Sequence, residues 1–353
     1  MAYPLTCFFG HSREKKGMIY SLFKSLAFLT PPEWAHEQTL AVLQRTARPG
    51  KPHPLAGPVP ETPVNVMGMS FRNPVGLAAG MDKNGECIDG FGSLGFGFLE
   101  LGTVTPRPQP GNPKPRLFRL PEHEAIINRM GFNNHGVDTL LANLDKASYT
   151  GRIGINIGKN FDTPIEAAAG DYVTCLRAVY THADYITVNI SSPNTTNLRE
   201  LQKGDAFSGL LKAVLAEKRS LAEETGKNTP IAVKIAPDVD EEQLDFIADT
   251  LLRVKMDAVI ATNTTLDRAA VQAHPRANEP GGLSGAPVRA RSTEIIRGLS
   301  RRLEGKVPII GVGGIFTAAD AREKLDAGAS LVQVYTGLIY KGPRLVREIV
   351  EGL

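Results

Sequence analysis

The sequence is short of cysteine, of tryptophan and of long apolar runs, and each shortage excludes something. Its three cysteines (Cys7, Cys87, Cys175) are scattered and odd in number, which argues against a disulfide framework, and no CxxC pair marks a zinc site. HExxH and clustered His, Asp and Glu ligands are also lacking, so no metal is expected. No apolar stretch reaches the roughly 18 residues needed to cross a bilayer. Met1 to Gly17 lacks the apolar core of a secretory leader, so export is not expected. An excess of one charge is missing too: 40 Lys/Arg stand against 37 Asp/Glu, a net +3 over 353 residues. That balance, with 42% hydrophobic residues, excludes a disordered chain and gives no reason to expect nucleic acid.

The charge is nevertheless placed unevenly. Residues 1–60 hold seven Lys/Arg against three Asp/Glu, a balance of +4, which leaves 33 against 34 for the remainder. In the same region Ile19, Leu22, Phe23, Leu26 and Leu29 recur at helical spacing. Thr30-Pro31-Pro32-Glu33 reads as a capping box that starts a second helix carrying Trp34, Ala35, Leu40, Val42 and Leu43. Six prolines between Arg48 and Pro63 then predict an extended, non-helical linker. Two readings of these helices fit equally: an interfacial membrane anchor, or a hairpin packed on the main domain.

Length alone allows two or three domains, but one alternating pattern accounts for nearly everything after the linker. Continuously apolar runs at Val75–Ala79, Phe98–Thr103, Ile153–Ile157, Tyr185–Ile190, Ile231–Ile235, Ala258–Thr262, Ile309–Val312 and Leu331–Tyr335 read as strands buried on both faces. Helical patterns fall between them, among them Ala206–Thr225, Glu241–Lys255, Pro287–Arg302 and Ala318–Ala327. Eight such units predict an α/β fold, a (β/α)8 TIM barrel with a small N-terminal two-helix extension. A doubly wound open sheet is the alternative, but no Gly-x-Gly-x-x-Gly follows the first strand.

Barrel chemistry belongs at the C-terminal ends of the strands, and polar residues gather there. They include Gly80 to Lys83, Thr103, Asn156, Asn189 to Asn194, Lys234, Thr262 to Thr264, Gly313-Gly314 and Tyr335 to Gly337. One asparagine at a strand end is a turn or a cap; seven or eight strands doing the same is a site. Gly313-Gly314 after the seventh strand, paired with Tyr335-Thr336-Gly337 after the eighth, resembles a barrel phosphate cradle. Lys83 and Lys234 fit an anionic substrate, a reduced flavin or a Schiff base. Asn128, Asn133, Asn156, Asn189, Asn194 and Asn263 can read the donors and acceptors of a planar heterocycle. Ser192, between Asn189 and Asn194, is the candidate for proton transfer, although no histidine adjoins it in sequence.

At these residues the sequence closely resembles the quinone-dependent (class 2) dihydroorotate dehydrogenases, especially the bacterial membrane-associated ones. The resemblance runs from Met18 to the C-terminus and is carried by GLAAGMDKNGE (76–86), ELGTVTPRPQPGNPKPRLFRL (100–120), INRMGFNN (127–134), GINIGKN (154–160), NISSPNT (189–195), AVKIAPD (232–238), IATNTTLDR (260–268), GGLSG (281–285) and IIGVGGI (309–315). It implies one FMN per chain, oxidation of dihydroorotate to orotate in pyrimidine synthesis, and ubiquinone or another quinone as acceptor. By resemblance, FMN contacts fall on Ala79, Gly80, Lys83, Thr103, Asn156, Asn189, Lys234, Thr262, Gly285, Gly314, Tyr335 and Thr336. Substrate contacts fall on Lys83, Asn128, Arg129, Met130, Gly131, Phe132, Asn189, Asn194, Asn263 and Thr264. Ser192 matches the base that removes the C5 proton while the C6 hydride goes to flavin N5. Class 1 relatives usually carry Cys where this chain has Ser192, and they lack the N-terminal helices.

The resemblance further implies a quinone tunnel between those helices and the barrel, with His36, Arg119 and Tyr335 as its polar residues. It favours a monomer held peripherally at the cytoplasmic face of the inner membrane, in contact with the quinone pool. The expected division is an unmatched extension (1–17), a membrane-associating helical region (18–46), a Pro-rich linker (47–63) and the FMN barrel (64–353). Met18 is an alternative start. A Schiff-base barrel using Lys234 and a non-catalytic FMN carrier are the rival readings.

Overall fold

The computed structural model describes residues 20–353 apart from Pro49 and Thr196. The extension 1–17 and the first two residues of the expected helical region, Met18 and Ile19, lie outside the described residues.

A short hairpin, β1 (Val64–Val66) and β2 (Met69–Phe71), precedes the barrel. Val66 pairs with Met69, so the loop is Met67-Gly68, and both residues have positive φ, 53° and 72°. That is the two-residue turn whose twist suits a hairpin, with glycine at one of its two demanding positions. Eight parallel strands then close on themselves: β3 (Val75–Leu77), β4 (Phe98–Val104), β7 (Arg152–Ile157), β8 (Tyr185–Asn189), β9 (Ile231–Ile235), β10 (Ala258–Ala261), β12 (Ile309–Val312) and β13 (Leu331–Val334). Apart from Arg152, every residue of these strands is buried. Wrapped by helices outside and filled by side chains inside, they have no solvated face, which is why the sequence reads as unbroken apolar runs. The fold is the (β/α)8 barrel.

The hairpin plugs the N-terminal end of the barrel. Phe71 packs edge-on against Phe98 at 5.2 Å, and Phe98 against Tyr185 at 6.3 Å. Two strand glycines leave room for these rings: a Cβ at Gly76 would stand 2.2 Å from the Phe98 ring, and one at Gly154 2.2 Å from Tyr185. With that end filled, the space for a ligand is at the other.

Three antiparallel strands were not foreseen. β5 (Leu117–Leu120), β6 (Ala125–Asn128) and β11 (Gly282–Gly285) form a separate sheet in the order β11-β6-β5. Its register sets Asn128 opposite both Leu117 and Gly282, so the insertions after the second and sixth barrel strands meet beside the mouth.

Residues 20–28 are helical (α1) and α2 spans Pro32–Thr46. The expected capping box does not form. Pro31 occupies the N-cap position with no side-chain cap, and the Thr30 hydroxyl donates back to Ala27 O at 2.7 Å. The prolines delay the helix start, leaving Thr30 one residue too early, and the Glu33 carboxylate is taken by Arg116. The described residues of 47–63 are non-helical as expected, yet seated on the barrel: His53 N–H donates to Ser93 O at 2.8 Å, and Ala56 is buried in the main core.

Candidate active site

The cavity at the mouth has about 1020 Å³ of empty space and opens to solvent. Of the residues expected to hold FMN, Ala79, Gly80, Lys83, Thr103, Asn189, Lys234, Thr262, Gly285, Gly314, Tyr335 and Thr336 line it. Asn156 does not; it stands behind Thr103, whose hydroxyl donates to its Oδ1. Of the expected substrate contacts, Asn128, Met130, Gly131, Phe132, Asn194, Asn263 and Thr264 line the same cavity, as does Ser192. Arg129 is the exception. Its guanidinium turns outward to Glu279, at 2.7 Å, and over the Phe118 ring, leaving only its backbone near the mouth. An ion pair and an aromatic face outside the pocket outweigh burying an unpaired charge inside it.

The glycine cradle is built backbone to backbone. At Gly314, with φ +70°, a Cβ would lie 2.8 Å from Arg289 N, and at Gly337 it would lie 2.0 Å from Ile315 O. Any side chain there would displace the loops after β12 and β13. The Thr317 hydroxyl caps the next helix, Ala318–Asp326, by accepting from Asp320 N–H.

A single buried carboxylate organises the amides. Glu100, inside β4, accepts from Asn156 Nδ2 at 2.8 Å, Tyr185 OH at 2.9 Å and Gln333 Nε2 at 2.6 Å. A carboxylate only accepts, so Asn156 must turn its carbonyl toward Thr103. The order then propagates: Asn189 Nδ2 donates to Thr103 Oγ1, Ser191 Oγ to Asn189 Oδ1, and Asn263 Nδ2 to Ser191 Oγ, each at 2.9 Å. Five polar side chains between barrel axis and rim thus have fixed donor directions. Glu100 and Gln333 were missed as site residues, and Ser191 was noted only as part of the rim stretch Asn189 to Asn194. The available signal was a lone acid in FLELGTV and a lone amide in LVQV, since a polar side chain in a strand buried on both faces must have a partner.

Lys234 is buried and makes no hydrogen bond among the described residues; burial pushes its ammonium pKa down, and the Glu100 charge opposes the shift. Thr262 Oγ1, Thr264 Oγ1 and Gln333 Oε1 are buried without a partner among the described residues. Orphaned polar groups, a free ammonium and a glycine cradle fit a phosphorylated heterocycle such as FMN. Burial, then Arg116, brings the Lys83 ammonium down to about 8, with Glu33, Asp82 and Glu86 opposing. The Ser192 hydroxyl oxygen accepts from Asn194 N–H at 3.2 Å. Thr195, also missed, has a buried hydroxyl with no partner among the described residues. Asn133, counted among the rim amides, does not line the cavity.

A second, strongly apolar cavity with about 1530 Å³ of empty space lies between the N-terminal helices and the barrel. His36, Arg119 and Tyr335 all line it, together with Phe28, Leu40 and Leu43. Arg119 Nη1 donates to Ala27 O and Thr30 O, which pins the turn between α1 and α2. Burial, followed by the nearby Lys83 charge, lowers the His36 pKa to about 4, so its imidazole is neutral. Lys83, Met130 and Tyr335 line both cavities and form the wall between them.

A family model described as dihydroorotate dehydrogenase matches residues 62–353. A curated relative from Chromobacterium violaceum, named dihydroorotate dehydrogenase (quinone), is 60% identical over 331 residues, covering 94% of this chain and 96% of the relative. One of the same name from Paraburkholderia phymatum is 58% identical over 335 residues, covering 95% and 97%. The crystal structure of the Eimeria tenella dihydroorotate dehydrogenase in complex with ferulenol superposes with a TM-score of 0.83 at 39% identity, over 91% of this chain and 90% of that one. The matched span takes in the whole barrel, the glycine cradle and every amide of the mouth, and the chain belongs to the dihydroorotate dehydrogenase family.

Proposed function

We propose that this chain oxidises (S)-dihydroorotate to orotate with one bound FMN, in pyrimidine synthesis, and delivers the electrons to a quinone. The observation that carries this is the shared wall: a polar, amide-lined cavity and an apolar one meet at Lys83, Met130 and Tyr335. Two substrates of opposite polarity can therefore reach one redox group without meeting each other.

FMN, when bound, supplies the hydride acceptor. Lys83 balances the carboxylate of dihydroorotate, and Asn128, Asn189, Asn194 and Asn263 hold the ring edges. Ser192 Oγ takes the C5 proton as the C6 hydride departs. Lys234 would offer its ammonium to the electron-rich side of FMN, and Gly285, Gly314 and Thr336, which line the same cavity, would help to hold the cofactor. His36, Arg119 and Tyr335 hold the quinone head. Because Lys83 must be charged to bind a carboxylate and is half-deprotonated at about 8, kcat/KM for dihydroorotate is expected to fall as pH rises through that value, with a Lys83→Met variant lacking the decline.

The N-terminal helices present Leu22, Leu26, Leu29, Trp34 and Val42 to solvent, with Leu29 84% exposed. No helix among the described residues is long and apolar enough to cross a membrane. An exposed apolar face beside a basic segment supports peripheral attachment, which we assign to the cytoplasmic face of the bacterial inner membrane, with a monomeric enzyme and residues 18–46 as the attaching region. The purified protein should be yellow, with one FMN per chain. A colourless protein that borohydride traps on Lys234 in the presence of a carbonyl substrate would establish the Schiff-base reading instead.

A further inference from the structure

We infer that Glu33 and Arg116 are positioning residues for dihydroorotate: their ion pair carries the seating of the N-terminal helices to the loop that shapes the substrate end of the cavity. This rests on the reading of that cavity given above.

Glu33 lies in the first turn of α2 and also lines the apolar cavity. Its carboxylate accepts from Arg116 Nη2 at 2.6 Å and from Nε at 3.2 Å, a two-pronged contact that a lysine could not reproduce. The Arg116 side chain is 7% exposed and Glu33 14%, so neither is a solvated surface charge. Lys114 also approaches Glu33, at 3.4 Å, but it is 62% exposed and adds little.

The other prong of the guanidinium belongs to the barrel mouth. Nη1 donates to Pro110 O at 2.6 Å and to Asn112 O at 2.9 Å. Asn112 Nδ2 in turn donates to Arg129 O at 2.9 Å and to Asn194 O at 3.2 Å. The Asn194 N–H donates to Ser192 Oγ, and its side chain donates to Asn128 Oδ1 at 3.1 Å. Between α2 and the serine there is one ion pair and two bridging residues. The loop has no slack: a Cβ on Gly111 would sit 2.2 Å from Met130 O. Without Glu33, the guanidinium loses the partner on its outer edge and no longer has one set position against Pro110 and Asn112.

The helices therefore affect how well dihydroorotate binds, beside forming the quinone cavity. The test uses full-length protein and a soluble dye acceptor, which bypasses that cavity. Glu33→Gln should raise the KM for dihydroorotate roughly fivefold with kcat held within about twofold, flavin content unchanged. Asn112→Ala should give the same rise, and the double variant no more than either single one. Glu37→Gln, at an exposed position of the same helix, should match wild type. An unchanged KM in Glu33→Gln, or additive effects in the double variant, would overturn the inference. Wild-type activity is measured in the same series, so failure of wild type to oxidise dihydroorotate would instead sink the reading on which the inference rests.

Discussion

Replacing Ser192 by alanine is expected to lower dihydroorotate turnover by roughly a hundredfold to ten-thousandfold, the range for loss of a positioned general base, with flavin retained. Among the described residues the serine hydroxyl has no hydrogen bond to a histidine or a carboxylate; its oxygen accepts from Asn194 N–H. A hydroxyl so placed accepts a proton only if water is kept away and another group relays the charge onward. Thr195, three residues on and buried without a partner among the described residues, is the nearest such hydroxyl in sequence. Because the hydrogen bond of the Ser192 hydroxyl among the described residues is to Asn194 N–H and not to the glycine cradle, the alanine variant should keep its yellow colour. Ser192→Cys should recover part of the rate, more so at higher pH, as a thiol ionises far more readily than an alcohol. A fully active alanine variant would leave only the flavin-carrier role or a different base.

Removing the N-terminal helices is the second large effect. The expected division, with the barrel beginning at 64, would put the cut after the linker, but Ala56 belongs to the main core and His53 is hydrogen-bonded to the barrel. The structure therefore moves the cut to about Ala47. A chain starting there loses one wall of the apolar cavity, including His36, while the mouth keeps its glycines, both lysines and all its amides. Quinone reduction should fall roughly hundredfold or more, the scale of losing a positioned second substrate. Dye-linked oxidation at saturating dihydroorotate should persist, with the raised KM that loss of Glu33 brings. The point variant His36→Ala should weaken quinone reduction alone and does not risk exposing Leu40 and Leu43. Unchanged quinone kinetics in the truncated chain would refute the placement of the quinone site.

The eight barrel strands were legible because burial on both faces leaves a one-dimensional trace: an unbroken apolar run such as FLELGTV. The three-stranded sheet left none. β5 and β6 lie in an insertion outside the strand–helix alternation, and β11 is GLSG, whose partners lie more than a hundred residues away in sequence. Site residues at strand ends were legible for the same reason as the strands, since the barrel sends its chemistry to one rim. The outward turn of the Arg129 side chain was not legible, because a motif shows where a backbone passes, not which way a long side chain turns. Glu33 was read as a local cap, and only the fold reveals that Arg116, 83 positions away, is its partner. Glu100 was hidden among the apolar residues that gave its strand away.

In the proposed function one rim takes electrons from dihydroorotate and the helix-walled cavity passes them to a quinone. The most direct test is dihydroorotate oxidation by the purified full-length chain, with a ubiquinone, fumarate or NAD offered as sole acceptor. Rapid turnover with the quinone and none above background with fumarate or NAD is the predicted result. Turnover that depends on fumarate or NAD and ignores the quinone would contradict it.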